Sequence, residues 1–203
     1  MDVMVTESDP GAADEACRQL AAANHSIHRC HDPGNRAFPC NGLTGECPLE
    51  ATAIDVVLDA RARTRTWPTP LEDGVTCALR RHVPVVVAGR ASLNPFEEHG
   101  AVVADGDDVV AACEAAAFGA LPRHGEVATE ALRLTLERAG VPTDGASATV
   151  VRRNGRLRAE LTVPPAAPPA VRRTAEVRVL GALRRYDTDS TGVDVGCRIL
   201  ETA

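Results

Sequence analysis

Lysine is missing altogether: every one of the 22 basic residues in this 203-residue chain is an arginine. Any mechanism that needs a lysine ammonium, such as a Schiff base or a lysine-type phosphate clamp, is thereby excluded. Aromatic residues are scarce, with one Trp, one Tyr and three Phe, while alanine is abundant. No apolar run approaches the roughly 20 residues a membrane span needs. Nor does a basic segment followed by an apolar stretch open the sequence. Membrane insertion and secretion are therefore not expected, and the expected location is cytoplasmic. What is present, 44% hydrophobic and 25% charged residues, is the composition of a globular protein long enough for one or two domains. Charge is unevenly spread: residues 1–120 hold nine Arg against eighteen acids and residues 121–203 hold thirteen Arg against ten. An acidic half followed by a mildly basic half predicts two modules, with the boundary at residues 121 and 122.

The first module reads as alternating strands and helices. Val3-Met4-Val5 predicts a short buried strand, and Asp9-Pro10 a helix start with Asp as cap and Pro in the first turn. A second strand is expected over 25–29 and a loop of Pro, Gly, Asn and Cys over 31–50. The run from Ala53 to Asp59 predicts a buried parallel strand ending in a carboxylate. A helix at 72–82, strands at 83–88 and 101–104 and a helix capped by Asp107 complete the series. The expected fold class is α/β, a doubly wound parallel five-stranded sheet. The second module has another grammar. A helix at 125–139 is followed by two alternating strands around Asn154-Gly155, a tight-turn signal. After the proline connector at 164–169 come a helix at 170–186 and a last strand with Val193, Val195, Cys197 and Ile199 on one side. The order αββαβ predicts a smaller α+β domain.

Three stretches of residues 1–121 carry a resemblance: Val3 to Pro10, Ile54 to Arg61, and Glu72-Asp73-Gly74 leading to Val83 to Val87. In that order and spacing the module resembles the receiver domain of bacterial response regulators. The resemblance implies a phosphoacceptor at Asp59 and a pocket formed by Glu7, Ser8, Asp59 and Ala88. The chain departs from the family pattern inside that pocket. Ser8 replaces the second acidic residue, Ala88 stands where a Ser or Thr is usual, and the lysine that contacts the phosphoryl group has no counterpart. Arg90 is nearby in sequence, but a planar guanidinium does not replace a buried ammonium. Phosphoryl transfer needs metal-held carboxylates beside the acceptor, so the resemblance implies a degenerate receiver that is not phosphorylated. The plainer alternative for Asp59 is a solvated carboxylate at a strand end.

Seven cysteines without a secretory signal predict reduced thiols or metal ligands. Cys17, Cys113 and Cys197 fall on apolar faces and are expected to pack as small hydrophobes. Cys30, Cys40 and Cys47 lie in and beside the 31–50 loop, and Cys77 falls in the first turns of the helix after the third strand. In a doubly wound sheet these segments share the carboxyl edge. Cys30, Cys40, Cys47 and Cys77 are therefore candidate ligands for a zinc ion or an iron–sulfur cluster, with His28 and His31 as alternatives. Redox or disulfide chemistry and ordinary free thiols are the competing readings.

Neither a helix-turn-helix nor a Gly-x-x-Gly loop is found, so nucleic acid is not an expected partner. Arg152, Arg153, Arg156 and Arg158 at the hairpin tip are expected to be solvated turn residues. No spaced Ser, His and acid set and no helical His-x-x-x-His pair is present. The expected function is non-catalytic: a regulatory or signalling protein in which a cysteine-held metal or cluster switches association with a protein partner or with itself. The alternatives are a scaffold or assembly factor with a structural zinc, or a thiol- or metal-dependent enzyme.

Overall fold

The computed structural model describes residues 1–31, 40–90, 92–99, 101–104, 108–153 and 155–200. The chain divides into two compact units, Met1–Ala117 and Phe118–Ala203. The first is α/β and its sheet is parallel throughout. Strands β1 (Asp2–Glu7), β2 (Ser26–Arg29), β3 (Val56–Arg61), β4 (Val85–Gly89) and β5 (Val102–Val103) pair in the order β2-β1-β3-β4-β5. Helices α1 (Asp14–Ala22), α2 (Asn41–Thr44), α3 (Pro48–Ala51), α4 (Asp73–Arg80) and α5 (Val109–Phe118) lie between and after them.

Alternation along the strands assigns each side chain to one of two cores. Val3, Val5, Val56, Leu58 and Val86 pack with Ala13, Leu20 and Cys113 from α1 and α5. Met4, Val57, Val85 and Val87 pack on the other face with Val75 and Ala78 of α4 and with Leu49 and Cys30. Both faces are covered, which explains why β3 opens with an apolar run and is buried along its whole length. Alternation also places on the α4 face Thr6, two residues on from Met4 in β1, and Asp59 and Arg61, two and four on from Val57 in β3.

Three details of the first unit differ from the sequence expectation, the first being that the expected 31–50 loop carries the one-turn helices α2 and α3. The first helix starts at Asp14 instead of at Asp9-Pro10, because the Glu7 carboxylate accepts the backbone N–H groups of Gly11 and Ala13. A carboxylate from the strand thus organises the turn that Asp9 was expected to cap. Strand β3 continues past Asp59 to Arg61, so Asp59 is internal to the strand. Asp107, the expected cap of α5, lies outside the described residues, as do residues 32–39 of the cysteine-bearing loop and Asn154 of the expected hairpin turn.

The second unit is a three-stranded mixed sheet with two helices: α6 (Pro122–Arg138), β6 (Ser147–Arg153), β7 (Arg156–Val163), α7 (Pro169–Tyr186) and β8 (Gly192–Ile199). β6 and β7 are antiparallel and β8 runs parallel to β7. Leu157, Ala159, Leu161 and Val163 face inward as their alternation predicts, against Leu132 and Leu136 of α6 and Val179 and Leu183 of α7. Ile199 was expected on the same inner side but is 45% exposed. Among the described residues no helix is long and apolar enough to cross a membrane.

Candidate functional site

All strands of the first unit point their carboxyl ends the same way, and the strand order reverses between β1 and β3. That crevice is where doubly wound sheets take ligands. Here it holds a buried charged cluster. Asp59 is fully buried, and its Oδ1 accepts the Thr6 hydroxyl at 2.9 Å. Arg61 and Glu72 are an ion pair with Nε and Oε1 3.3 Å apart and no side-chain exposure on either partner. Glu72 also closes a capping box with Thr69 around the single 3₁₀ turn Pro70–Glu72 that leads into α4. The Thr69 hydroxyl in turn donates to the Ser8 carbonyl at 3.1 Å, tying the loop after β3 to the end of β1.

Two carboxyls and one guanidinium in a dry space cannot all be charged comfortably. Burial, and then the neighbouring Glu72 carboxylate, push the Asp59 pKa up to about 8 against the smaller opposing pull of Thr6 and Arg61. Burial thus holds the Asp59 carboxyl well above the usual carboxylate range, and the plainer expectation of a solvated carboxylate at a strand end is corrected, since Asp59 is buried inside β3. The other residues of the expected acceptor pocket have local duties. Glu7 serves the β1–α1 turn, and its other oxygen lies 4.0 Å from Arg29. The Ser8 hydroxyl accepts the Ala62 N–H and donates to Asp9. Ala88 is buried in β4, and Arg90 donates its backbone N–H to the Arg61 carbonyl.

The four candidate cysteines approach the same face from three directions. Cys30 follows β2, Cys40 and Cys47 precede the one-turn helices α2 and α3, and Cys77 is an exposed residue of α4. Desolvation pushes the Cys30 thiol up to about 12, and Cys40, Cys47, Cys77 and Asp73 all push in the same direction. The segment carrying Cys40 and Cys47 is pinned at both ends. Asn41 donates its N–H to the Cys30 carbonyl, and Arg81 donates to the Leu49 carbonyl while pairing with Glu50. Cys30 in turn abuts α4: a Cβ added to Gly74 would sit 2.8 Å from Cys30 Sγ and 2.9 Å from Thr6 Cγ2. Thr6 thus bonds the buried acid through its hydroxyl while its methyl, like Cys30 Sγ, faces Gly74. Among the described residues, no group of three His, Cys, Asp or Glu side chains is already spaced to hold a metal ion.

Of the alternative ligands, His31 is buried beside the cluster segment, whereas the His28 ring is engaged by Asp2 at the amino end of β1, 2.8 Å away. Of the three cysteines expected in cores, Cys113 is fully buried. Cys17 and Cys197 are partly exposed, with Arg29 donating to Cys17 Sγ and Cys197 Sγ donating to the Arg172 carbonyl.

The second unit has a buried charged cluster of its own. The Asp187 carboxylate is shared by Arg152 and by His124 Nε2, the latter at 2.9 Å, and the His124 ring meets Tyr186 edge to face. Arg152 is thus inside the protein, contrary to the expectation of four solvated arginines. Arg153 lies over the Phe118 ring and donates to its carbonyl, while Arg156 forks onto Asp194.

Sequence reasoning passed over Arg61, Glu72, His124 and Asp187. Glu72 had a legible signal, the Thr-x-x-Glu spacing from Thr69 that marks a capping box. Arg61, at the end of an otherwise apolar strand run, called for a buried carboxylate near it. No protein-family model matches the chain, and no curated protein matches it significantly.

Proposed function

We propose that this chain is a non-catalytic regulatory protein in which Cys30, Cys40, Cys47 and Cys77 form a metal- or redox-responsive switch. The switch controls association with a protein partner or a second copy. The observation that carries this reading is the approach of three segments far apart in sequence to buried Cys30: Asn41, next to Cys40, bonds to the Cys30 carbonyl, Cys47 packs against the same core, and Gly74 of the helix that bears Cys77 abuts Cys30 Sγ. Four thiolates suit a tetrahedral zinc ion or an iron–sulfur cluster. Since the groups are not already in coordinating positions, taking up the metal draws the 40–47 segment toward Cys30 and α4. That movement is the signal, a local ordering of the kind that switches binding surfaces.

The degenerate-receiver reading is supported by the same edge. The residue at the acceptor position is buried and hydrogen-bonded to Thr6, with its carboxyl pKa raised by burial, and Glu7 at the end of β1 is spent on a turn. Phosphorylation is replaced as the input, and the thiols take over the position from which it acted.

The test is metal and acid-labile sulfide analysis of protein purified without oxygen, on the intact chain and on Cys40→Ser/Cys47→Ser. The proposal expects near-stoichiometric zinc, or iron with sulfide and absorbance near about 400 nm, lost in the double variant while the sheet stays folded. Absence of both metals, with all four thiols equally reactive before and after addition of zinc, overturns it. Loss of the whole fold in the double variant favours instead the reading in which the metal is purely structural.

A further inference from the structure

The loop after β3 bounds a shallow cavity of about 540 Å³ that plays no part in the thiol switch. Its size falls within the range of small-molecule sites. It lies at the carboxyl edge, and two bonds fasten its loop to the end of β1: Thr69 to the Ser8 carbonyl and Arg65 to Asp9 at 2.9 Å. It therefore adjoins the crevice where the strand order reverses, the place such sheets bind ligands.

The chemistry of the lining is specific. Trp67, the chain's single tryptophan, is 80% exposed, and with Pro68, Pro70 and half-exposed Leu93 it makes an apolar wall facing water. Leaving an indole in water forgoes its large burial energy, and a flat ring laid on it recovers that energy. The opposite character is supplied by arginine. Arg65 spends one of its five N–H groups on Asp9. Arg63, 72% exposed, leans on the same carboxylate at 3.7 Å. Two guanidiniums on one carboxylate leave a surplus positive charge at the rim, and Thr66 adds a hydroxyl. A wall that wants a ring beside a fork that wants an anion defines the ligand class.

We propose that this cavity binds a small planar aromatic anion, with its ring on Trp67 and its carboxylate or phosphate on Arg65. The inference is independent of the thiol switch.

Because Trp67 is alone, its indole N–H gives one assignable amide-spectrum signal, which reads the site directly in the full-length protein. With 2-naphthoate as probe, the expected result is a saturable shift of that signal. Binding of the neutral 2-naphthamide, and binding of 2-naphthoate to Arg65→Gln, should each be weaker by about ten-fold or more. The unperturbed remainder of the Arg65→Gln spectrum certifies its fold, and calorimetry on Trp67→Leu checks the ring contact by loss of the heat of binding. No saturable shift with 2-naphthoate, or equal affinity for the amide, overturns the proposal. So does a concentration-dependent dimer abolished by Trp67→Leu, which would hand this wall to a second copy.

Discussion

Asp59 sets the pH response of the first unit. With its folded pKa raised to about 8, the folded state holds a proton that the unfolded chain releases near pH 4. Stability from this group is present at low pH and declines as pH rises from about 4 to about 8, by at most about 1.4 kcal/mol per pH unit. Asp59→Asn should flatten that decline, read as urea midpoints at pH 5, 7 and 9; an unchanged slope would count against the raised pKa. Glu72 is the opposite case. Glu72→Ala leaves the guanidinium of Arg61 buried without its carboxylate, and denaturation should show a loss of about 3–5 kcal/mol. Thr6 separates two effects at one position, since its hydroxyl serves Asp59 and its methyl, like Cys30 Sγ, faces Gly74. Thr6→Val should raise the Asp59 pKa further and leave thiol reactivity unchanged. Thr6→Ser should do the reverse, with carboxyl titration by NMR and thiol labelling rates as the two readouts.

Helix α4 begins where a side chain would not fit. A methyl on Gly74 would approach Cys30 Sγ and Thr6 Cγ2 within 3 Å, so Gly74→Ala should destabilise the first unit by about 1–3 kcal/mol in urea unfolding. Elements of this kind show where sequence reading succeeds. The strands were legible because a parallel sheet covered on both faces demands near-continuous apolar runs, as at β3 and β4, and β7 because half-burial demands alternation. The start of α1 was not legible. Asp9-Pro10 has the local grammar of a cap, and only the strand-end carboxylate of Glu7, reaching across the turn, moves the helix to Asp14. The candidate site divides the same way. That Cys30 and Cys77 share one edge follows from chain direction alone, while the raised pKa of Asp59 comes from burial and then from Glu72, thirteen residues further on, both supplied only by the fold.

At the level of the whole molecule, each unit owns a core: the first two faces of a parallel sheet, the second the inner side of β6–β8 with α6 and α7. The second is also locked by Asp187, which joins the start of α6, the end of β6 and the end of α7. Residues 118–203 expressed alone should therefore unfold in one cooperative transition by circular dichroism, and Asp187→Ala should lower its midpoint; a broad, non-cooperative melt of the wild-type fragment would refute the independence of the unit. The uniform direction of the first sheet has a practical corollary. Buried acid, thiols and indole wall all gather at one pole, so the opposite pole, where Asn24 and His82 turn the chain with positive φ, is a natural handle. A short affinity tag spliced beside His82 would anchor the protein to a sensor chip back-first, with the carboxyl edge of the sheet presented to whatever flows past.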